Sequence, residues 1–165
     1  KQGDVGDLFT PGTGRLRVVE HHQRITKQAA SVSNFNLIGA AQVGKASLTG
    51  MRLLHRLHPH LPMWPLDCVP ATGPLLVEIY TGVAARATGM AAGRSKIRDG
   101  AALDTALAVL GSPPIGMTGP TSDHASDALM AAAWLRAVAN NPASWSPLPL
   151  TDTLACTEGW TFGII

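Results

Sequence analysis

Three side chains able to bind a metal ion stand close together in the run SDHASDALMAAAWLRAVA. Asp123 and Asp127 are four residues apart, and His124 and Asp127 are three apart. The run is rich in strong helix formers, and Thr121 or Ser122 can cap its start, so it predicts a long helix. All three side chains can then project from one side of its first two turns, which is a spacing typical of metal ligands.

Asp127 is the strongest anomaly in this predicted helix, because it lines up with residues expected to face the core. That stripe comprises Ala131, Trp134 and Val138. An unpartnered buried carboxylate costs several kcal/mol, so the position calls for a hydrogen-bond network, a cation or a metal. A purely structural interpretation stays open, with Asp123 complementing the helix dipole and Asp127 bonding to neighbouring backbone.

A further acid, Glu78, interrupts LLVEIYT, the clearest strand pattern in the sequence. Strand alternation places Glu78 on the same face as Leu76 and Tyr80. On a strand buried on both faces it is a candidate metal ligand, whereas on a solvent face it carries no functional meaning.

Oxygen ligands of this kind suit Mg²⁺ or Mn²⁺, which are hard cations. Two such ions held about four ångströms apart can hydrolyse a phosphodiester. His124 could serve as a ligand or as a proton carrier near the leaving group. Candidate contacts to the phosphates are the basic residues Lys45, Arg94, Lys96 and Arg98.

The surrounding patterns predict the elements that would position these residues. RLRVVEH suggests a short strand, residues 47–57 a helix ended by Pro59, and GVAARATG and DGAALDTALAVLG two further helices. HPHLPMWPLDCVPATGP is proline-rich and predicts turns. The closing EGWTFGII predicts a final strand or an apolar segment packed under a sheet.

HASDALMAAAWL resembles the last catalytic helix of Holliday-junction resolvases and related ribonuclease-H-like proteins, in which an acidic residue or a His precedes an Asp by three positions. His124 and Asp127 match those two metal-site positions. The order of LLVEIYTGVAARATG, SDHASDALMAAAWLR and TEGWTFGI, with GAAQVGKASLTGM and WPLD, is similar to an uncharacterised ribonuclease-H-like domain family from about Leu8 to the end. The family pattern has a Glu at the position of Glu78.

This resemblance implies an α/β fold in which helices pack on a mixed sheet, and a metal-dependent nuclease that acts on nucleic acid. Ribonuclease-H-like folds open with a hairpin whose first strand bears a metal-binding Asp, and no such hairpin is visible here. Residues 1–165 are therefore expected to form a single domain that is the C-terminal part of the fold and lacks its N-terminal strands. Because some members of this superfamily bind without cutting, a non-catalytic binding or structural module is the main alternative.

Composition limits the class of protein further. A length of 165 residues with 45% hydrophobic content suits one domain, and the absence of a long apolar run predicts a soluble, cytoplasmic protein with no membrane partner. Two distant cysteines suggest reduced thiols. Residues 15–56 carry seven Lys and Arg against the single acid Glu20, and such a segment can track a phosphate backbone. A homo-oligomer is left open.

Two other site patterns are present. GAAQVGK matches part of a nucleotide-binding phosphate loop, but Ala46 replaces the Ser or Thr that would bind Mg²⁺, so tight glycine packing is the preferred explanation. His55, His58 and His60 could bind zinc with Asp67 or Cys68, although histidines also favour a helix C-terminus. No GxSxG motif supports a serine hydrolase.

Overall fold

The computed structural model describes residues 16–38, 42–91 and 96–165. These residues contain both helices and strands, which confirms a mixed α/β class. The helices are α1 (Val18–Ile25), α2 (Val43–Leu57), α3 (Thr81–Ala87), α4 (Gly100–Val109), α5 (Asp123–Val138), α6 (Pro142–Trp145) and α7 (Asp152–Thr157). The strands are β1 (Met63–Trp64) and β2 (Leu76–Val77).

The chain folds into two compact units, each built from segments that are distant in sequence. The first unit comprises the described residues up to Glu78 together with Leu150–Trp160, and the second comprises Ile79–Pro149 with Thr161–Ile165. No helix in the described ranges is long and apolar enough to cross a membrane.

The strand predicted for RLRVVEH is wrong, because residues 18–21 of this stretch form the start of α1. The backbone N–H of Arg17 donates to the carboxylate of Glu20 at 2.9 Å, which satisfies a donor at the helix start. Val19 and Gln23, one turn apart, are both fully buried. A short sequence with two valines suits a strand locally, but burial of one helical face outweighs that preference here.

The sheet is smaller than the sequence predicts. In the part of the chain that the structure describes it is one parallel pair, β1 with β2, with Met63 opposite Leu76 and Trp64 opposite Val77. It is therefore not the mixed sheet that was expected. Only two residues of LLVEIYT belong to a strand, and the partner lies in the segment predicted to form turns. Pro65, which directly follows β1, has no N–H to extend the ladder.

Helix α2 ends at Leu57 as predicted but begins at Val43, four residues before the predicted start. Gly44 is buried at its first turn, and a Cβ at this position would collide with the backbone carbonyl of Asn34. Gly50, in contrast, faces open space.

In the second unit, α3 and α4 both pack against α5. Ser122 is the N-cap of α5, where its hydroxyl accepts a hydrogen bond from the backbone N–H of Ala125 at 3.2 Å. The core contains Val83, Ala84, Leu103, Leu107, Met130, Ala131, Trp134, Phe162 and Ile164. The closing segment buries Phe162 and Ile164 in this core and forms no strand, so it packs as an apolar segment, but among helices of the second unit and not under the sheet, which lies in the first unit.

Candidate functional site at the start of helix α5

Asp123 lies in the first turn of α5 and is held by two cations. Its carboxylate is 3.0 Å from the Lys96 Nζ and 3.4 Å from the Arg98 Nε. The hydrogen bond from Lys96 is the main cause that holds the pKa of Asp123 below its ordinary value, and the charge of Arg98 adds to it. All three side chains are accessible to solvent, so these ion pairs contribute little to stability and can exchange for other partners.

Asp127, one turn further along α5, is half-buried. Ala131 and Trp134 of the predicted stripe are in the core, and Asp127 lies at the edge of the same face. Its carboxylate has no hydrogen bond or ion pair to another described residue. A half-buried carboxylate retains contact with water, so its need for a compensating partner is weaker than full burial would make it.

His124 is exposed on the same two turns of α5. Over residues 16–38, 42–91 and 96–165, no group of three or more His, Cys, Asp or Glu side chains is arranged to hold a metal ion. Helix α5 therefore brings Asp123, His124 and Asp127 into one region, but these side chains do not converge on a single point.

Glu78 belongs to the first unit, directly after β2, and it pairs with Arg17 rather than standing open as a ligand. The two guanidinium nitrogens Nη1 and Nη2 donate to Oε2 at 2.9 Å and to Oε1 at 2.7 Å. Both carboxylate oxygens are thus engaged in a bidentate ion pair. Burial of the guanidinium lowers the pKa of Arg17, but the hydrogen bonds and charges of Glu78 and Glu20 outweigh this effect and raise it.

Glu20 is the charged residue whose role sequence reasoning missed. Its side chain is 1% exposed and accepts hydrogen bonds from the backbone N–H of Arg17, from the Arg17 Nε at 3.1 Å and from the backbone N–H of Asn34 at 2.8 Å. Arg17 also donates to the carbonyl of Glu158 at 3.2 Å. The signal in the sequence was the isolation of Glu20 in a long basic segment, where a lone acid has cations to pair with.

The predicted phosphate contacts are dispersed. Lys96 and Arg98 are exposed beside Asp123, and Lys45 is exposed on the first turn of α2 in the first unit. Arg94 lies outside the described residues.

The two other site patterns have structural explanations among the residues described. Gly44 of GAAQVGK is packed tightly, which agrees with the glycine-packing interpretation, while residues 39–41 lie outside the described ranges.

In the histidine pattern, His58 pairs with Asp67, whose carboxylate lies 3.1 Å from the His58 Nε2. The same carboxylate accepts a hydrogen bond from the backbone N–H of Met63 at 2.8 Å. The hydrogen bond from Met63 is the main reason why the pKa of Asp67 is lowered, and the hydrogen bond with His58 is the second.

No protein-family model, curated protein or solved structure matches the chain.

Proposed function

We propose that the chain is part of a ribonuclease-H-like domain that binds nucleic acid and hydrolyses its phosphodiester bonds with Mg²⁺ or Mn²⁺. The observation that supports this function is the arrangement at the start of α5. Two carboxylates four residues apart, Asp123 and Asp127, lie on the same turns as His124, and Lys96 and Arg98 flank Asp123. Carboxylate oxygens and exposed cations are thus combined at one helix end.

The donor types, carboxylate oxygens beside a histidine, suit a divalent cation of this kind, although the side chains do not converge on one point in this structure. Mg²⁺ in phosphoryl-transfer sites is commonly held by one or two carboxylates, with substrate phosphates and water as the remaining ligands. Asp127 is free of partners among the described residues, and the exposed ion pairs of Asp123 can be exchanged. When bound, the cation would activate water and stabilise the leaving oxygen.

Each protein side chain then has a defined task. Asp127 and Asp123 would hold the cation, and Lys96 and Arg98, released from Asp123, would bind the phosphate oxygens of the substrate. His124 would donate a proton to the leaving oxygen. Glu78 is left out of this proposal, because both of its oxygens are engaged by Arg17.

The second candidate function is a ribonuclease-H-like module that binds nucleic acid without cutting it. The observation that favours it is that Glu78 and Asp123 are each neutralised by basic side chains, as carboxylates that serve only the fold would be. The cytoplasmic location stays a prediction under both functions, and the oligomeric state stays open.

The test is cleavage of branched, duplex and single-stranded substrates by the full chain in Mn²⁺ and in Mg²⁺. Asp127→Asn should reduce cutting by about a hundredfold or more, because even outer-shell partners of a metal ligand are worth ten- to a hundredfold. Asp152→Asn, an exposed acid in the first turn of α7, is the matched control and should cut normally. Calorimetric titration with Mn²⁺ should show weaker binding to Asp127→Asn than to the unmodified protein. The Asp152→Asn control should bind Mn²⁺ as the unmodified protein does.

Equal cutting by Asp127→Asn and the unmodified protein would eliminate this site. Binding of nucleic acid with no cutting by the unmodified protein would instead favour the second candidate function. If Lys45→Ala abolished binding of a nucleoside triphosphate, a phosphate-loop nucleotide binder would replace both.

A further inference from the structure

Helix α2 presents a row of cations that no described acid neutralises. Lys45, Arg52 and Arg56 are exposed, and none of them forms an ion pair with another residue in the described ranges. The sequence contains no Asp or Glu between Glu20 and Asp67. Although the whole chain has a formal net charge of only +2, the charge on this helix is therefore entirely positive.

These three residues, termed here the α2 cationic row, lie along one line of the helix. With 3.6 residues per turn, their side chains project within about 40° of one another. At 1.5 Å per residue the row is about 16 Å long, and duplex DNA carries a phosphate charge for about every 1.7 Å of its axis. A row of this length can contact several phosphates.

The position of the apolar side chains decides between two anionic partners. Leu48, Met51 and Leu53 are more than half exposed, at 53%, 53% and 57%; Leu48 and Leu53 border the cationic row on its two sides, and Met51 lies towards the opposite side of the helix. A helix that binds an anionic bilayer has apolar residues at the centre of its contact face and cations at the edges. Here the cations lie opposite the apolar arc and not at its edges, so a helix with that arc in a bilayer would point them away from the lipid, and the cationic row suits a phosphate backbone better.

We propose that the α2 cationic row binds the sugar-phosphate backbone of nucleic acid, without base specificity. Lys45, Arg52 and Arg56 supply charge-assisted contacts to phosphate oxygens, and Leu48 and Leu53 border them. This inference rests on the proposed function in taking nucleic acid as the polyanion, but it involves none of the α5 residues.

The experiment measures binding of a fluorescent 20-base-pair duplex by anisotropy, in EDTA and at several salt concentrations. EDTA removes cleavage, so the result does not depend on Asp127. The test variant is Arg52→Gln/Arg56→Gln, and the matched control is Lys27→Gln/Arg86→Gln, which removes two exposed cations elsewhere. All these side chains are exposed, and unchanged circular dichroism spectra would show that both variants fold.

The slope of log K against log salt should become shallower by about 2 in the test variant, because each lost phosphate contact removes about 0.9. Between 50 and 200 mM salt, the affinity of the test variant should therefore fall by roughly tenfold less than the affinity of the unmodified protein. The control should keep the original slope, and adding Lys45→Gln to the test variant should remove about one more unit.

Equal slopes in the test variant and the unmodified protein would overturn the proposal. So would equal losses in both variants, because net charge alone would then explain binding. Binding to vesicles with 30% phosphatidylserine but not to duplex or single strands would assign the helix to lipid instead. If the Asp127→Asn variant cuts normally while the row still binds, the proposed site fails and this inference stands.

Discussion

The buried carboxylate of Glu20 should be the most sensitive charged position in the first unit. The side chain is 1% exposed and accepts three hydrogen bonds, two from Arg17 and one from Asn34. Glu20→Ala removes the acceptor for all three donors and leaves the guanidinium of Arg17, itself only 12% exposed, with Glu78 and a carbonyl as partners.

The size of the effect follows from burial. Breaking a buried ion pair by deleting one partner costs about 3–5 kcal/mol, since it leaves uncompensated charge and unsatisfied donors. Glu78 binds the same guanidinium, but its side chain is 46% exposed. Glu78→Gln should therefore cost less than about 1 kcal/mol, as for other exposed ion pairs.

The measurement is urea unfolding followed by circular dichroism and tryptophan fluorescence. With a slope near 2 kcal/mol per molar urea, Glu20→Ala should lower the midpoint by about 1.5–2.5 M, and Glu78→Gln by less than about 0.5 M. Glu20→Gln keeps one acceptor oxygen and should fall between them. Comparable losses for Glu20→Ala and Glu78→Gln, or a loss below about 1 kcal/mol for Glu20→Ala, would refute this account of the network.

Two further predictions concern packing and pH. Gly44→Ala should destabilise by about 1–3 kcal/mol in thermal unfolding, because its Cβ meets the loop backbone, whereas Gly50→Ala should be neutral or stabilise by up to about 1 kcal/mol. Asp67 has a pKa held below 3.8 by the Met63 N–H and by His58, so its contribution to stability is present above pH 3.8 and is lost as pH falls through the folded-state pKa. The loss in free energy of unfolding caused by Asp67→Asn should therefore be largest at neutral pH and should shrink as the pH falls. A loss that is as large at pH 2 as at pH 7 would contradict this assignment.

The long helices were predictable from the sequence because their signals are local. Ser122 before a run of helix formers predicts the start of α5, and the helix begins at Asp123. The apolar spacing of Leu103 and Leu107 predicts a buried face on α4, and both side chains are in the core. Caps and helical spacing involve residues within about four positions of one another, so no distant contact is needed to specify them.

The same local rule places Asp123, His124 and Asp127 on neighbouring turns, but the surroundings of these side chains depend on distant residues. The sequence could not show that Lys96 and Arg98 reach Asp123, or that Asp127 lies at the edge of the buried face rather than inside it.

Tertiary structure alone decided the role of Glu78 and the nature of α1. Arg17 and Glu78 are 61 residues apart, and no local pattern links them. Residues 18–25 suit a strand by composition, yet they form a helix that buries Val19, Glu20 and Gln23. The physical reason is that burial and ion pairing depend on which segments meet in space, whereas capping and periodicity depend only on neighbours along the chain.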